Sequence, residues 1–226
     1  LADSDPTISN AAVVSLGFGG TGAVPALVAA LKDKDPIVRS KIAWALQRIS
    51  PVPASAVEPL AAALSDRDVS VRESVVSALL SFGVASAPAS PQLARALSDS
   101  SAAVRSNAAK ALGKIGPGAK SAVPSLIAAF DDSTARIGAI IAIGRIGPGA
   151  SQAVGSLVKQ LKSADRDTKV AAVSALGLMG APSANDAIPA LVEMLKDRDV
   201  FVAAAAYQAL SLLDPVRWPH KGENEK

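Results

Sequence analysis

The chain is 226 residues long, half of them hydrophobic but only 3% aromatic, with 23 basic against 20 acidic residues and a net charge of +3. With no cysteine and a single histidine, His220, it has no disulfide and too few ligands for a structural or catalytic zinc centre, and its charge is far milder than that of a dedicated nucleic-acid binder. Apolar surface supplied mostly by Ala, Val, Leu and Ile suits closely packed helices. A chain without thiols fits cytosol and periplasm equally, so composition assigns no compartment.

Two stretches, 6–31 and 74–94, carry no charged residue and have the length of a membrane span. The first is interrupted by Asn10, Gly19-Gly20-Thr21-Gly22 and Pro25, and the second by Pro88, Pro91 and several serines. Neither reads as one apolar helix, and a soluble chain without a membrane span is expected.

Self-similarity governs the rest of the reading. Leu31, Leu64, Leu97, Phe130, Leu161 and Leu195 are spaced 33, 33, 33, 31 and 34 residues apart. The text after them recurs as Leu31-Lys32-Asp33-Lys34-Asp35, Leu64-Ser65-Asp66-Arg67-Asp68, Leu97-Ser98-Asp99-Ser100-Ser101 and Leu195-Lys196-Asp197-Arg198-Asp199. Fifteen residues on, or thirteen in the fourth unit, stands Leu46, Leu79, Leu112, Ile143, Leu176 or Leu210.

Taken in chain order, a helix over 5–18 closes a truncated repeat at 1–20 whose partner helix would lie upstream, so the sequence is expected to be part of a longer chain. Helical hairpins follow at 21–52, 53–85, 86–117, 118–149, 150–182 and 183–213. In each, a short first helix opens near a proline, at Pro25, Pro59, Pro91, Pro124 or Pro189, because a first turn has no use for the missing amide hydrogen; Gly155 stands there in the fifth unit. The Asp-containing turn then supplies Asp35, Asp68, Ser101, Asp165 or Asp199 as cap of the second helix. The second helix shows helical spacing, as in Val104, Ala108, Ala111, Leu112 and Ile115, and ends in glycine text such as Gly116-Pro117-Gly118-Ala119 and Gly147-Pro148-Gly149-Ala150. Glycine there is expected to take the left-handed closing conformation and proline to stop the helix. The fourth hairpin, with its shorter turn and with Gly138 and Gly144 in its second helix, is expected to be irregular. A capping segment and polar tail occupy 214–226, where Leu212, Leu213, Val216 and Trp218 are expected to cover the last hairpin.

One recurring column is charged. Arg39, Arg72, Arg105 and Arg136 stand seven residues before the recurring Leu or Ile, Lys169 continues the series, and Asp33, Asp66, Asp99 and Asp132 recur in the turns. Chemistry that repeats with the fold belongs to the fold, so these residues are read as a structural ladder of charge-assisted hydrogen bonds. The last unit departs from it, with Ala203 at the Arg position.

The text Asp-x-Asp-x-x-Val-Arg followed by Ala-x-Ala-Leu-Gly-x-Ile-Gly, best matched over Asp99 to Gly116, resembles HEAT repeats of the short type also found in phycobilisome bilin lyases. The resemblance runs from Leu1 to about Leu213. The expected fold is all-α, a right-handed α-solenoid of six helical hairpins preceded by a half repeat.

The resemblance also implies that the second helices line a concave face. Two columns then point inward: Val14, Trp44, Ser77, Lys110, Ile141, Ser174 and Gln208, and one turn later Phe18, Arg48, Ser81, Lys114, Arg145, Leu178 and Leu212. Lys41 and Asn107 join them from the turn before. Trp44, Arg48, Lys41, Asn107, Lys110, Lys114, Ile141 and Arg145 are therefore the candidate binding strip, basic in its middle and opposed by Glu73. An exposed Trp beside Lys and Arg is a common composition for an interaction hot spot. No Cys nucleophile, Ser-His arrangement or phosphate loop is present in the repeats, and the His-Glu pairs of HEAT-like deoxyhypusine hydroxylases are missing. The reading is a non-catalytic scaffold that binds an acidic peptide or protein surface, without cofactor or metal. Two alternatives rest on resemblance: a chromophore-handling protein akin to the bilin lyases, and a nucleic-acid binder akin to the HEAT-like alkylpurine glycosylases.

Overall fold

The computed structural model describes residues 20–219. The expected helix over 5–18, with Val14 and Phe18, and the tail from His220 lie outside the described residues. The chain divides into two compact units, Leu1–Ile115 and Gly116–Lys226. Among the described residues both are wholly helical.

Unit 1 contains α1 (Val24–Ala30), α2 (Pro36–Arg48), α3 (Ala54–Ala63), α4 (Val69–Phe82), α5 (Ser90–Ala96) and α6 (Ala102–Ile115). Unit 2 contains α7 (Val123–Ala128), α8 (Arg136–Ile146), α9 (Val154–Gln160), α10 (Arg166–Met179), α11 (Ile188–Met194) and α12 (Val200–Leu213). Shorter and longer helices alternate and pack as antiparallel neighbours. The longer ones form a layer of their own, α4 against α2 and α6 in unit 1, and α10 against α8 and α12 in unit 2.

The layers are held by the recurring aliphatic columns. Leu27, Ile42, Leu46, Leu60, Leu79, Leu93 and Leu112 are fully buried in unit 1, and Leu126, Ile140, Ile143, Ile146 and Leu157 in unit 2. Each is worth about 1.5–3 kcal/mol relative to exposure. Ala43, Ala45, Ala78, Ala108 and Ala111 have no accessible surface, because small side chains mark where helix backbones come closest.

The turns follow local chemistry. Asp35, Asp68, Asp165 and Asp199 cap α2, α4, α10 and α12 by accepting from the amides of Ile37, Ser70, Thr168 and Phe201. Ser101 accepts from Val104 at the start of α6. Proline is the second residue of α1, α5, α7 and α11. The second hairpin differs: Pro59 lies inside α3, which starts at Ala54 after an extended Pro53, so the first helix gains a turn upstream of the proline. Nothing in Ala54 to Val57 breaks a helix, and the proline forgoes one i to i−4 bond.

The glycine connectors also depart from expectation. Segments Gly83–Ala89, Gly116–Ala122 and Gly147–Ala153 are 3-10 helices that lead directly into α5, α7 and α9, with Pro117 and Pro148 inside them rather than ending helices. Gly147 has φ 74 and ψ −141, and Gly83 has φ 58 and ψ −125, which is not the left-handed helical region. This corner of the map is close to glycine-only, so the demand for glycine is stricter than a left-handed cap would impose. Stretches Val69–Ala96 and Arg136–Gln160 have the length of a membrane span and contain 18-residue windows with mean hydropathies of 1.3 and 1.2, but each holds a positive-φ glycine and is split among several elements of the packed layers.

The fourth hairpin is irregular within itself. α8 has 11 residues against 14 in α10 and α12, and its N-cap, Ala135, offers no side-chain acceptor. Gly144 is not a flexible point: a Cβ there would lie 2.8 Å from the Cα of Ala175, so its absence lets α8 touch α10. Gly177 does the same for α10 against Ala209 of α12. At the end of unit 2 the Tyr207 hydroxyl donates to the Pro219 carbonyl at 2.7 Å, and Leu213 is buried. Leu212 and Val216, expected to cover the hairpin, instead face solvent, Val216 at 93% exposure. The 214–219 segment is held by its backbone and Tyr207, which leaves Val216 on the outer side of the turn.

Candidate functional site

The charged column lies at the turns between the helices of successive pairs. Arg39 donates from Nε and from one terminal nitrogen to the two Asp66 oxygens, both at 2.7 Å, and from the other to the Asp33 and Lys34 carbonyls. Arg72 repeats this with Asp99, at 2.8 and 3.0 Å, and with the Asp66 carbonyl at 2.9 Å. Each arginine thus clamps its own turn and reaches the aspartate of the following one. Asp33, Asp66 and Asp99 also accept from the amides of Asp35, Asp68 and Ser101, which ties every turn to its rung.

Arg105 donates to the Asp99 and Ser100 carbonyls within unit 1. In unit 2 Asp132 accepts from the amide and hydroxyl of Thr134, Arg136 donates to the Phe130 carbonyl, and Lys169 pairs with Asp197 at 2.7 Å. The hydrogen bond from Arg39 holds the Asp66 carboxyl below the usual carboxylate range. Burial pushes Asp99 upward, but the Arg72 guanidinium and the Ser101 amide outweigh it and leave the carboxyl lowered. Lys169 lowers Asp197 in the same way.

The outward columns of the long helices carry different chemistry in the two units. In unit 1, α2 presents Trp44 at 41% exposure with the Arg48 guanidinium 4.9 Å from its ring centroid, and Lys41 lies half-buried one turn earlier. Trp44 borders a groove between α2 and α4 whose other wall is Ser70, Glu73, Ser74 and Ser77, and Ser40 and Ser74 share a hydrogen bond at 2.8 Å. Glu73 accepts from the Ser101 hydroxyl at 2.7 Å, which ties α4 to the turn before α6. Lys110 and Lys114 are exposed on α6, with Asn107 half-buried. These two lysines and Lys41 make no ion pair among the described residues. Within unit 1, the serine row of α4 lies between cations on α2 and on α6.

Ile141 and Arg145 stand in unit 2, on α8, among aliphatic neighbours. Sequence reasoning placed them in one strip with the lysines; it passed over Ile137 and counted Leu178 only as a column member. Both are exposed, at 37% and 57%. The signal was available, since those columns hold polar residues at most unit 1 positions. Among the described residues no group of three His, Asp or Glu side chains gathers as metal ligands would.

Alternating short and long helices, stacked by like helix against like and carrying recurrent rungs at the turns, define a helical-repeat solenoid, an architecture that serves as a protein-interaction platform. The chain belongs to the HEAT-repeat family, whose model matches residues 1–80, 57–144 and 131–211. No curated protein matches it significantly. Solved structures do. An engineered protein aligns with a TM-score of 0.64 at 26% identity, over 82% of this chain and 94% of its own. A designed armadillo repeat protein aligns with a TM-score of 0.64 at 21% identity, over 84% and 99%. The complex of CpcE and CpcF of phycocyanin lyase from Nostoc sp. PCC7120 aligns with a TM-score of 0.58 at 24% identity, over 82% and 74%.

Proposed function

We propose that the chain is a non-catalytic scaffold that captures an acidic peptide or acidic protein surface on the long-helix face of unit 1. The observation that carries this reading is Trp44, a large aromatic left 41% exposed and stacked by Arg48, with Lys41 one turn before it and the exposed Ile37 at the start of the same helix. Burying that ring against a partner is a strong source of affinity, and Arg and Trp are the residue types in which binding energy concentrates. Lys41, Lys110 and Lys114, which make no ion pair among the described residues, supply positive potential that steers an acidic surface toward the ring. The likeness to the phycocyanin lyase supports the repeat fold and adds no bilin chemistry to this reading.

Affinity capture from the source organism, with the partner's binding then followed by biolayer interferometry, tests it. Trp44→Ala is expected to raise the dissociation rate about tenfold or more, and the double change Lys110→Glu with Lys114→Glu to slow association in a salt-dependent manner. Both variants should keep wild-type circular dichroism and melting. Unaltered rates in both, with the fold intact, would remove unit 1 as the binding face.

A further inference from the structure

Unit 2 presents a face of another kind. Between α8 and α10 runs a groove of about 520 Å³, walled by Ile137 and Ile141 on one side and by Val170, Ser174 and Leu178 on the other. The stack does not require aliphatic residues there. The columns of Ile141 and Leu178 hold Ser77 and Lys110, and Ser81 and Lys114, in unit 1. Exposed aliphatics at positions the fold leaves free, adjoining the half-exposed Leu212 on α12, form a contiguous apolar surface of the sort that marks interaction sites.

The ends of the groove are charged and differ in sign. Arg145, at the C-terminal end of α8, is exposed and makes no ion pair among the described residues. Asp167, at the N-terminal end of α10, is exposed and weakly paired with its neighbour Arg166 at 3.2 Å. Ile137, Ile141 and Arg145 recur every fourth residue, so they form one line along α8 of roughly 12 Å at 1.5 Å per residue.

We infer that this groove docks an amphipathic helical segment of a protein partner, its aliphatic side chains one turn apart seated between Ile137, Ile141 and Leu178 and a carboxylate one turn beyond paired with Arg145. Such a segment reads two helices with anchors at helical spacing, the helix-in-groove mode of recognition. The two end charges set its direction: an acid meets Arg145, while Asp167 repels an acid at the opposite end and suits a cation. The inference rests on the scaffold reading but names a separate subsite, in the other unit and with apolar rather than cationic chemistry.

The probe is a fluorescein-labelled alanine-based helical peptide with leucines one turn apart and a glutamate one turn further on, titrated with the full chain and followed by anisotropy. Saturable binding is expected, with Ile141→Asp or Leu178→Asp weakening it about tenfold or more. Replacing the peptide's glutamate by glutamine should cost roughly fivefold against the wild type and nothing against Arg145→Gln. The unit 1 change Lys110→Glu with Lys114→Glu should leave peptide binding as it is, so loss of the acidic partner there and loss of the peptide here are separate outcomes. Ile141, Leu178 and Arg145 are surface residues, and unchanged circular dichroism checks that each variant folds. A scrambled peptide that binds equally well, or affinity indifferent to Ile141→Asp and Leu178→Asp, overturns the inference. So does concentration-dependent dimerisation, abolished by Leu178→Asp in sedimentation, which assigns the groove to a second copy of the chain.

Discussion

The Arg72 guanidinium shows how one side chain joins two repeats. Its terminal nitrogens and Nε serve the Asp99 carboxylate ahead and the Asp66 carbonyl behind, and both partners of the ion pair are about nine-tenths buried, at 12% and 10% exposure. A pair at that depth contributes little compared with apolar packing, but removing one member strands the other. Arg72→Ala is expected to lower stability by about 2–3 kcal/mol, because Asp99 keeps only the Ser101 amide and the Ser100 hydroxyl. Lys110→Ala, which also deletes one cation from a long helix, should stay within about 0.5 kcal/mol since its amine is solvated. Urea denaturation midpoints of the two variants give the comparison, and equal shifts would show that the rung has no structural role.

Between helices, the glycines separate into two kinds. Gly144 and Gly177 sit where α8 meets α10 and α10 meets α12, and in both a Cβ would lie 2.8 Å from a backbone Cα on the neighbouring helix. Alanine would gain about 1 kcal/mol of helix propensity but force backbone apart, at a cost near the top of the 1–3 kcal/mol overpacking range. Gly144→Ala is expected to lose about 1–2 kcal/mol net. Gly155, the second residue of α9, has nothing within 4 Å of its would-be Cβ, and the equivalent residue of α1, α5, α7 and α11 is proline. Gly155→Pro should therefore raise stability by about 0.5–1 kcal/mol through the unfolded chain. Thermal melts moving in opposite directions would bear out both arguments; two downward shifts would mean that α9 needs glycine for a reason of its own.

At the scale of the molecule the rungs make stability depend on pH. Asp66, Asp99 and Asp197 have carboxyls below the ordinary value, so the folded state takes up their protons later than the unfolded chain does. Above the unfolded value of about 4 both states are ionised and the stabilisation is complete; as pH falls through the lowered folded values it is lost. Denaturation midpoints should be level near neutrality and fall from about pH 5 downward. Asp66→Asn, which no longer titrates, should be less stable at neutral pH and lose less on acidification. An acid slope identical to that of the wild type would show that other carboxylates govern the transition.

Repeat length, helix pairing and the caps at Asp35, Asp68, Ser101, Asp165 and Asp199 were legible in the amino-acid order, because each depends on residues within a turn or two of one another and recurs until noise averages out. Positions at which repeats disagree were harder to read. Pro59 stands five residues before Leu64, where the other prolines stand six before their landmarks, and it lies inside α3, since where a helix begins depends on the upstream residues it can recruit and not on a proline alone. Gly144 looked like a weak point in its helix, and only the distance to Ala175 reveals it as a contact. Periodicity names the columns of Arg and Asp, but stacking distance decides that Arg39 reaches Asp66 of the following turn. It likewise listed Trp44, Lys110, Ile141 and Arg145 together, whereas their neighbours on adjacent helices give the first two a polar, cationic setting and the last two an apolar one. A column is a one-dimensional property of the chain; the chemistry of a surface comes from side chains about thirty residues apart, brought side by side by the packing of one long helix on the next.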